Sequence, residues 1–223
     1  MFDPALVKAV FFDLDGTLID SDDVAVAKMA RRIQFLLGGR SEQFSRWFFM
    51  RIETPGNAFI TLLDWLHLDV PVMRFRHWLR ERLAGTEMHF ELVPGVLEML
   101  REVSGRFPIA LVTTRSRVSI DAFLVQYPEI DEMVEVSSGM EDTRRIKPHP
   151  EPVQRAASLL EIPIEACVMI GDTTMDVLAG KRAGAQTVAV LCGFGERKEL
   201  ARAGADLILE STADFAWWLR QAE

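Results

Sequence analysis

Short apolar runs alternate with helical stretches along most of this 223-residue chain, and that alternation restricts it to few folds. Residues 8–13, 108–113, 133–136, 167–171 and 186–190 are rich in Val, Ile, Leu and Phe and read as strands buried on both faces. Between or after them, residues 94–104, 118–127, 151–160, 174–183 and 196–203 carry apolar side chains at helical spacing. Strand and helix in regular exchange predict an α/β chain with a doubly wound, mostly parallel sheet. Such sheets bind ligands at the carboxyl ends of their strands. Composition agrees with a chain that buries a core, since 49% of residues are hydrophobic and 26% charged.

One interval breaks the rhythm. A right-handed crossover needs a dozen or more residues, and the helix at 94–104 already supplies one before the second strand. Residues 21–92 are therefore surplus to the sheet. Helical patterns near 24–37, 42–50, 58–68 and 72–83 are broken by Gly38-Gly39, Thr54-Pro55-Gly56 and Pro71. These features predict an α/β core from residues 1–20 and 93–223 and an inserted α-helical cap from 21–92. The insert leaves the carboxyl end of the first strand, which places it over the expected ligand site. Ten basic residues against nine acidic ones give it +1 and leave -9 for the rest of a chain of net charge -8. An anionic ligand would find cationic partners there, although for any one of these arginines a solvated helix face is the better reading.

Two carboxylates, Asp13 and Asp15, stand at i and i+2 where the first strand ends, so both project to one side. Asp15-Gly16 is also a tight-turn signal, which accounts for those two residues and leaves Asp13 unexplained. A second apolar run closes with Gly171-Asp172-Thr173-Thr174-Met175-Asp176. There Asp172 stands at the strand end and Asp176 one helical turn on, able to face the same cation. Thr173 and Asp176 equally fit an acidic form of the N-terminal capping box. Four carboxylates at two strand ends repel one another without a cation, and oxygen-only ligation points to Mg2+. Lys147 adds positive charge, and Pro148 holds it in an extended conformation. Thr113 and Thr114 end the second strand before a helix, where a hydroxyl and free backbone N–H groups suit phosphate oxygens.

Together these residues resemble the four signature motifs of the haloacid dehalogenase superfamily, in the superfamily's order. Asp13 to Leu18 matches D-x-D-G-T-L, Thr113 the second motif, Lys147-Pro148 the third, and Gly171 to Asp176 the fourth. The resemblance spans essentially the whole chain. From Asp172 through Gly193-Phe194-Gly195 to Gly204-Ala205-Asp206 it is similar to phosphoglycolate phosphatase-like members, which also carry a helical insert after the first motif. Gly193-Phe194-Gly195 is no dinucleotide fingerprint, because the third glycine is missing.

The resemblance implies a phosphatase acting on a small phosphorylated metabolite. Asp13 would attack phosphorus, and Asp15 would protonate the leaving oxygen and later deprotonate water. Lys147, Thr113 and Thr114 would serve the phosphoryl group. Mg2+ would be held by Asp13, the Asp15 carbonyl and Asp172, with Asp176 nearby or acting through water. A specificity loop is implied near residues 51–57, where Arg51 would read the leaving group. The second acid, Asp15, favours phosphoryl transfer over dehalogenation, and a phosphonate hydrolase would need the insert's one lysine, Lys28. A sugar-phosphate mutase of the same superfamily remains the nearest alternative, and a catalytically silent binding module the alternative from another class.

The remaining features exclude more than they suggest. An acidic chain is ill suited to nucleic acid or anionic lipid, and no segment reaches the ~18 apolar residues of a membrane span. Cys167 and Cys192 lack metal or redox spacing and read as reduced core residues. These points predict a cytoplasmic protein, monomeric or homodimeric. His67, His77, His89 and His149 show no ligand spacing. Trp217 and Trp218 are expected to pack a final helix, an exposed one marking a dimer contact, and Trp47, Phe48 and Phe49 to form cap core.

Overall fold

The computed structural model describes residues 2–20 and 89–221. Arg51 and its loop, Lys28, Trp47, Phe48, Phe49, His67, His77 and the expected cap helices lie outside the described residues. The described residues run β1 (Ala9–Phe12), α1 (Val96–Ser104), β2 (Ile109–Val112), α2 (Arg117–Gln126), α3 (Pro128–Met133) and β3 (Val134–Ser138). They continue through α4 (Glu151–Leu159), β4 (Cys167–Gly171), α5 (Thr174–Ala183), β5 (Gln186–Val190), α6 (Arg197–Ala203), β6 (Leu207–Leu209) and α7 (Asp214–Gln221). The strands form one sheet in the order β3-β2-β1-β4-β5-β6, with every pairing parallel. That is the doubly wound arrangement, whose strand order reverses between β1 and β4.

The central strand shows why the apolar runs do not alternate with polar residues. Val10 and Phe12 enter one core with Val96, Leu100, Ile120, Phe123 and Phe215, while Ala9 and Phe11 enter the opposite core with Val153, Ala156 and Ala179. Helices cover both faces, so consecutive side chains of β1 are all buried. On α1, Val96, Met99, Leu100 and Val103 are buried at i, i+3, i+4 and i+7, the stripe that a helix packed on a sheet requires.

Two elements depart from the expectation. Met133 closes α3 instead of opening β3, because Pro128 at the first helical position and acidic Glu129 and Asp131 in the first turn favour a short helix. The three-residue strand β6 is too short to show periodicity; it is fixed by pairing with β5 and by Asp206, which accepts from Thr187 and Lys181. The final helix α7 forms as expected. Phe2 packs edge-on against Trp218, whereas Trp217 is exposed. Both cysteines are free thiols; Cys167 is buried, and burial pushes its thiol up to about 12. No helix among the described residues is long and apolar enough to cross a membrane.

The two chain segments that flank residues 21–88 are tied to each other. Asp20 N donates to Glu91 O (2.8 Å), Val93 N donates to Leu18 O (3.0 Å), and Ile19 bridges Leu92 in antiparallel fashion. Chain exit and return therefore lie side by side at the carboxyl end of β1.

Candidate active site

Every described candidate except Asp15 and Thr114 is buried, and all lie beyond strand ends, in the loops that follow or, for Asp176, in the first turn of α5. Asp13 directly follows β1 and extends its pairing, its N–H donating to Ile170 O at 2.9 Å. The chain then turns sharply: Gly16 has φ +69°, its N–H donates to Ile19 O (2.8 Å), and Ile19 N donates to Leu14 O (2.8 Å). The Asp-Gly turn signal is thus real, and it serves to bring Gly16 against Asp172. A Cβ on Gly16 would lie 2.2 Å from Asp172 Oδ2.

Lys147 is the hub of the cluster. Its buried ammonium donates to Asp13 Oδ1 (2.7 Å), Asp176 Oδ1 (2.5 Å) and the Val112 carbonyl (2.8 Å), which uses its three donors. Burial opposes the lysine's charge, but Asp13 and Asp176 outweigh it and hold its pKa above the usual range. Asp13 feels the reverse balance. Burial, with Asp176 and Asp15 adding repulsion, pushes its carboxyl up to about 7 against the pull of Lys147.

Asp176 realises the capping-box alternative. Its Oδ2 accepts from Thr173 N (3.1 Å) and Thr173 Oγ1 (2.7 Å) at the start of α5, while Oδ1 faces Lys147. One carboxylate therefore both caps a helix and seats the lysine. Asp172, fully buried at the end of β4, accepts from Phe194 N at 2.9 Å. The Gly193-Phe194-Gly195 segment that is no dinucleotide motif wraps this carboxylate. A Cβ on Gly193 would meet Asp172 Oδ2 at 2.1 Å, and one on Gly195 would meet Asp172 O at 1.8 Å.

Thr113 is buried and continues β2, its N–H donating to Ser138 O (3.0 Å) and its Oγ1 accepting from Arg115 N (3.2 Å). Thr114 follows it, half-buried. Beyond Thr114, the backbone N–H groups of Arg115, Arg117 and Ser119 already have side-chain partners. Thr113 Oγ1, Glu141 Oε2 (2.9 Å) and Ser116 Oγ (3.3 Å) engage them respectively. Asp15 is the more exposed carboxylate and is gripped by Arg115, with Nε to Oδ2 at 2.7 Å and Nη2 to Oδ1 at 2.5 Å. Arg115 was not among the expected site residues. Its place two residues beyond Thr113 at a strand end is a usable signal, but nothing in the sequence pairs positions 15 and 115. Both remaining described histidines, His89 and His149, lie outside this cluster of contacts.

Asp13, Asp172 and Asp176 each offer a carboxylate oxygen within 4.8 Å of the others. Lys147 pairs with two of these three buried carboxylates, Asp13 and Asp176, and all donors offered are oxygens, so the residues fit a hard divalent cation. The glycine wrap makes this testable. Gly193→Ala is expected to displace the Asp172 carboxylate, and with Asp172 as a cation ligand it would weaken Mg2+ binding by about 10- to 100-fold, the usual cost of disturbing support behind a ligand. The Mg2+ dependence of the melting temperature measures it, and an unchanged dependence would show that Asp172 is not a ligand.

The doubly wound α/β sheet carries this carboxylate and lysine cluster at its switch point, where such sheets bind ligands. The family model described as haloacid dehalogenase-like hydrolase matches residues 10–190. The chain belongs to that family, and its enzyme class is that of a family phosphatase. The pyrophosphatase PpaX of Bacillus mycoides is 26% identical over 210 residues, covering 94% of this chain and 95% of that protein. A haloacid dehalogenase family hydrolase from Deinococcus radiodurans, solved with bound phosphate and sodium, has a TM-score of 0.70 at 25% identity, over 98% of this chain and 97% of the other. A structure described as a predicted phosphoglycolate phosphatase from Haemophilus somnus shares the fold at 20% identity, with a TM-score of 0.64 over 98% and 99% of the two chains.

Proposed function

We propose that this protein hydrolyses a small phosphorylated metabolite in the cytoplasm by way of an aspartyl phosphate on Asp13. The observation that carries the proposal is the Lys147 bridge, which fixes Asp13 Oδ1 and leaves the other oxygen of a buried carboxylate to act as nucleophile. In the first step Asp13 forms a bond to phosphorus while the bond from phosphorus to the leaving oxygen breaks, and Asp15 gives that oxygen a proton. In the second, Asp15 takes a proton from water, which attacks the same phosphorus and releases Asp13. Lys147 offsets the charge of Asp13 and Asp176, and Thr113 and Thr114 would bind the phosphoryl oxygens.

Asp13, Asp172 and the Asp15 carbonyl, with Asp176 beside them, would hold Mg2+, which would supply positive charge to the phosphoryl oxygens. Both oxygens of Asp176 already have protein partners, which supports an outer role for it: seating Lys147. The relatives' name adds inorganic pyrophosphate to phosphoglycolate and sugar phosphates as substrates to be tried. Arg51 is proposed as the reader of the leaving group.

The test is phosphate release from pyrophosphate, phosphoglycolate and hexose phosphates, each with Mg2+ and with chelator. Release from at least one, abolished by chelator, is the expected result. Isomerisation of a hexose phosphate without net release would replace phosphatase by mutase, and inertness toward all of them would contradict the proposal.

A further inference from the structure

Arg115 makes more contacts than a surface ion pair would require. Besides the two-pronged grip on Asp15, its Nη1 donates to Ser119 Oγ (2.8 Å), and its Cζ lies 5.1 Å from the centre of the Phe90 ring. Phe90 is itself held hard: its N–H donates to Gln126 Oε1 (3.0 Å), and its carbonyl accepts from Gln126 Nε2 (2.6 Å) and Tyr127 OH (2.7 Å). The two residues after Phe90 pair with Asp20 and Ile19, just beyond the turn that carries Asp15. A continuous path of contacts thus runs from Asp15 through Arg115 and Phe90 back to the chain next to Asp15.

We infer that Arg115 is a positioning residue for Asp15: it sets the place and plane of that carboxylate, and Phe90 holds the guanidinium in turn. The inference rests on the proposed function, in which Asp15 exchanges a proton with the leaving oxygen and with water. A carboxylate on a rotatable side chain does this only within hydrogen-bond reach of both. Two parallel N–H···O bonds fix the carboxylate plane, which a single contact does not. The pair is also partly sheltered, with side-chain exposures of 23% for Arg115 and 38% for Asp15. Lysine is a point charge without the fork, so it cannot replace arginine in this role. Since Phe90 belongs to the segment by which the chain returns from residues 21–88, the position of Asp15 is tied to the base of the insert.

A double-mutant cycle tests this, with p-nitrophenyl phosphate and Mg2+ as the probe. Arg115→Lys is expected to lower kcat by about 10- to 100-fold with KM changed less than about threefold, the cost of a misplaced catalytic group. In an Asp15→Asn background the same change should alter kcat by less than about twofold, because no proton carrier is left to position. Phe90→Leu, which keeps apolar volume and removes the ring, should show a smaller loss with the same dependence on Asp15. It carries the test if the lysine variant does not fold. Equal losses in both backgrounds, or none in the parent, would overturn the inference and leave the proposed function standing. Normal turnover by Asp15→Asn alone would instead remove the acid–base role on which both depend.

Discussion

Asp13→Asn is expected to lower turnover by roughly 10^4-fold or more, with the fold intact. The amide preserves shape and still accepts from Lys147 through its oxygen, but it has no charge with which to attack phosphorus. Stability should not suffer. Burial and the neighbouring Asp176 and Asp15 already disfavour the charged form of Asp13, so a neutral group there relieves repulsion. Initial rates and thermal melting of the metal-free protein measure the two halves. A variant that retains turnover would exclude Asp13 as nucleophile, and one that melts much lower would give it a structural role.

Lys147→Ala should damage both stability and rate. The substitution strands two buried carboxylates and the Val112 carbonyl without their shared donor. Removing one partner from a buried, hydrogen-bonded ion pair costs about 3–5 kcal/mol, because an uncompensated charge remains. Turnover should fall by about 10^2- to 10^3-fold, since the nucleophile loses its fixed orientation and the site a positive charge. Urea denaturation and initial rates measure these effects. Adding Asp176→Asn to Lys147→Ala should recover part of the stability and none of the rate, which separates electrostatic strain from catalysis.

The parts of this protein legible in its sequence are those fixed by burial on both faces and by spacing along one element. Strands β1 and β4 announce themselves as apolar runs because helices cover both sides of the sheet, and the aspartates that follow them necessarily stand at its carboxyl edge. Asp176 was legible as a capping residue and as a neighbour of a cation, and the capping geometry is present alongside its contact with Lys147. What escaped reading was long-range. Arg115 and Asp15 are separated by 100 residues, and only the parallel placement of β1 and β2 brings them together. Gly193 and Gly195 lack the third glycine of a dinucleotide fingerprint, and nothing in the sequence shows that the space they leave is filled by Asp172. Strand β6 has three residues and no pattern of its own, so it is defined by its neighbour.

The central claim is that the phosphoryl group passes through Asp13 before it reaches water, and the stereochemical course at phosphorus tests this most directly. A p-nitrophenyl thiophosphate made chiral with oxygen isotopes is hydrolysed with Mg2+ in isotopically labelled water, and the configuration of the released thiophosphate is determined. Two successive in-line displacements, the first by Asp13 and the second by water, each invert the centre, so net retention is the predicted result. Net inversion would mean that water attacks the substrate directly and would contradict the aspartyl-phosphate account.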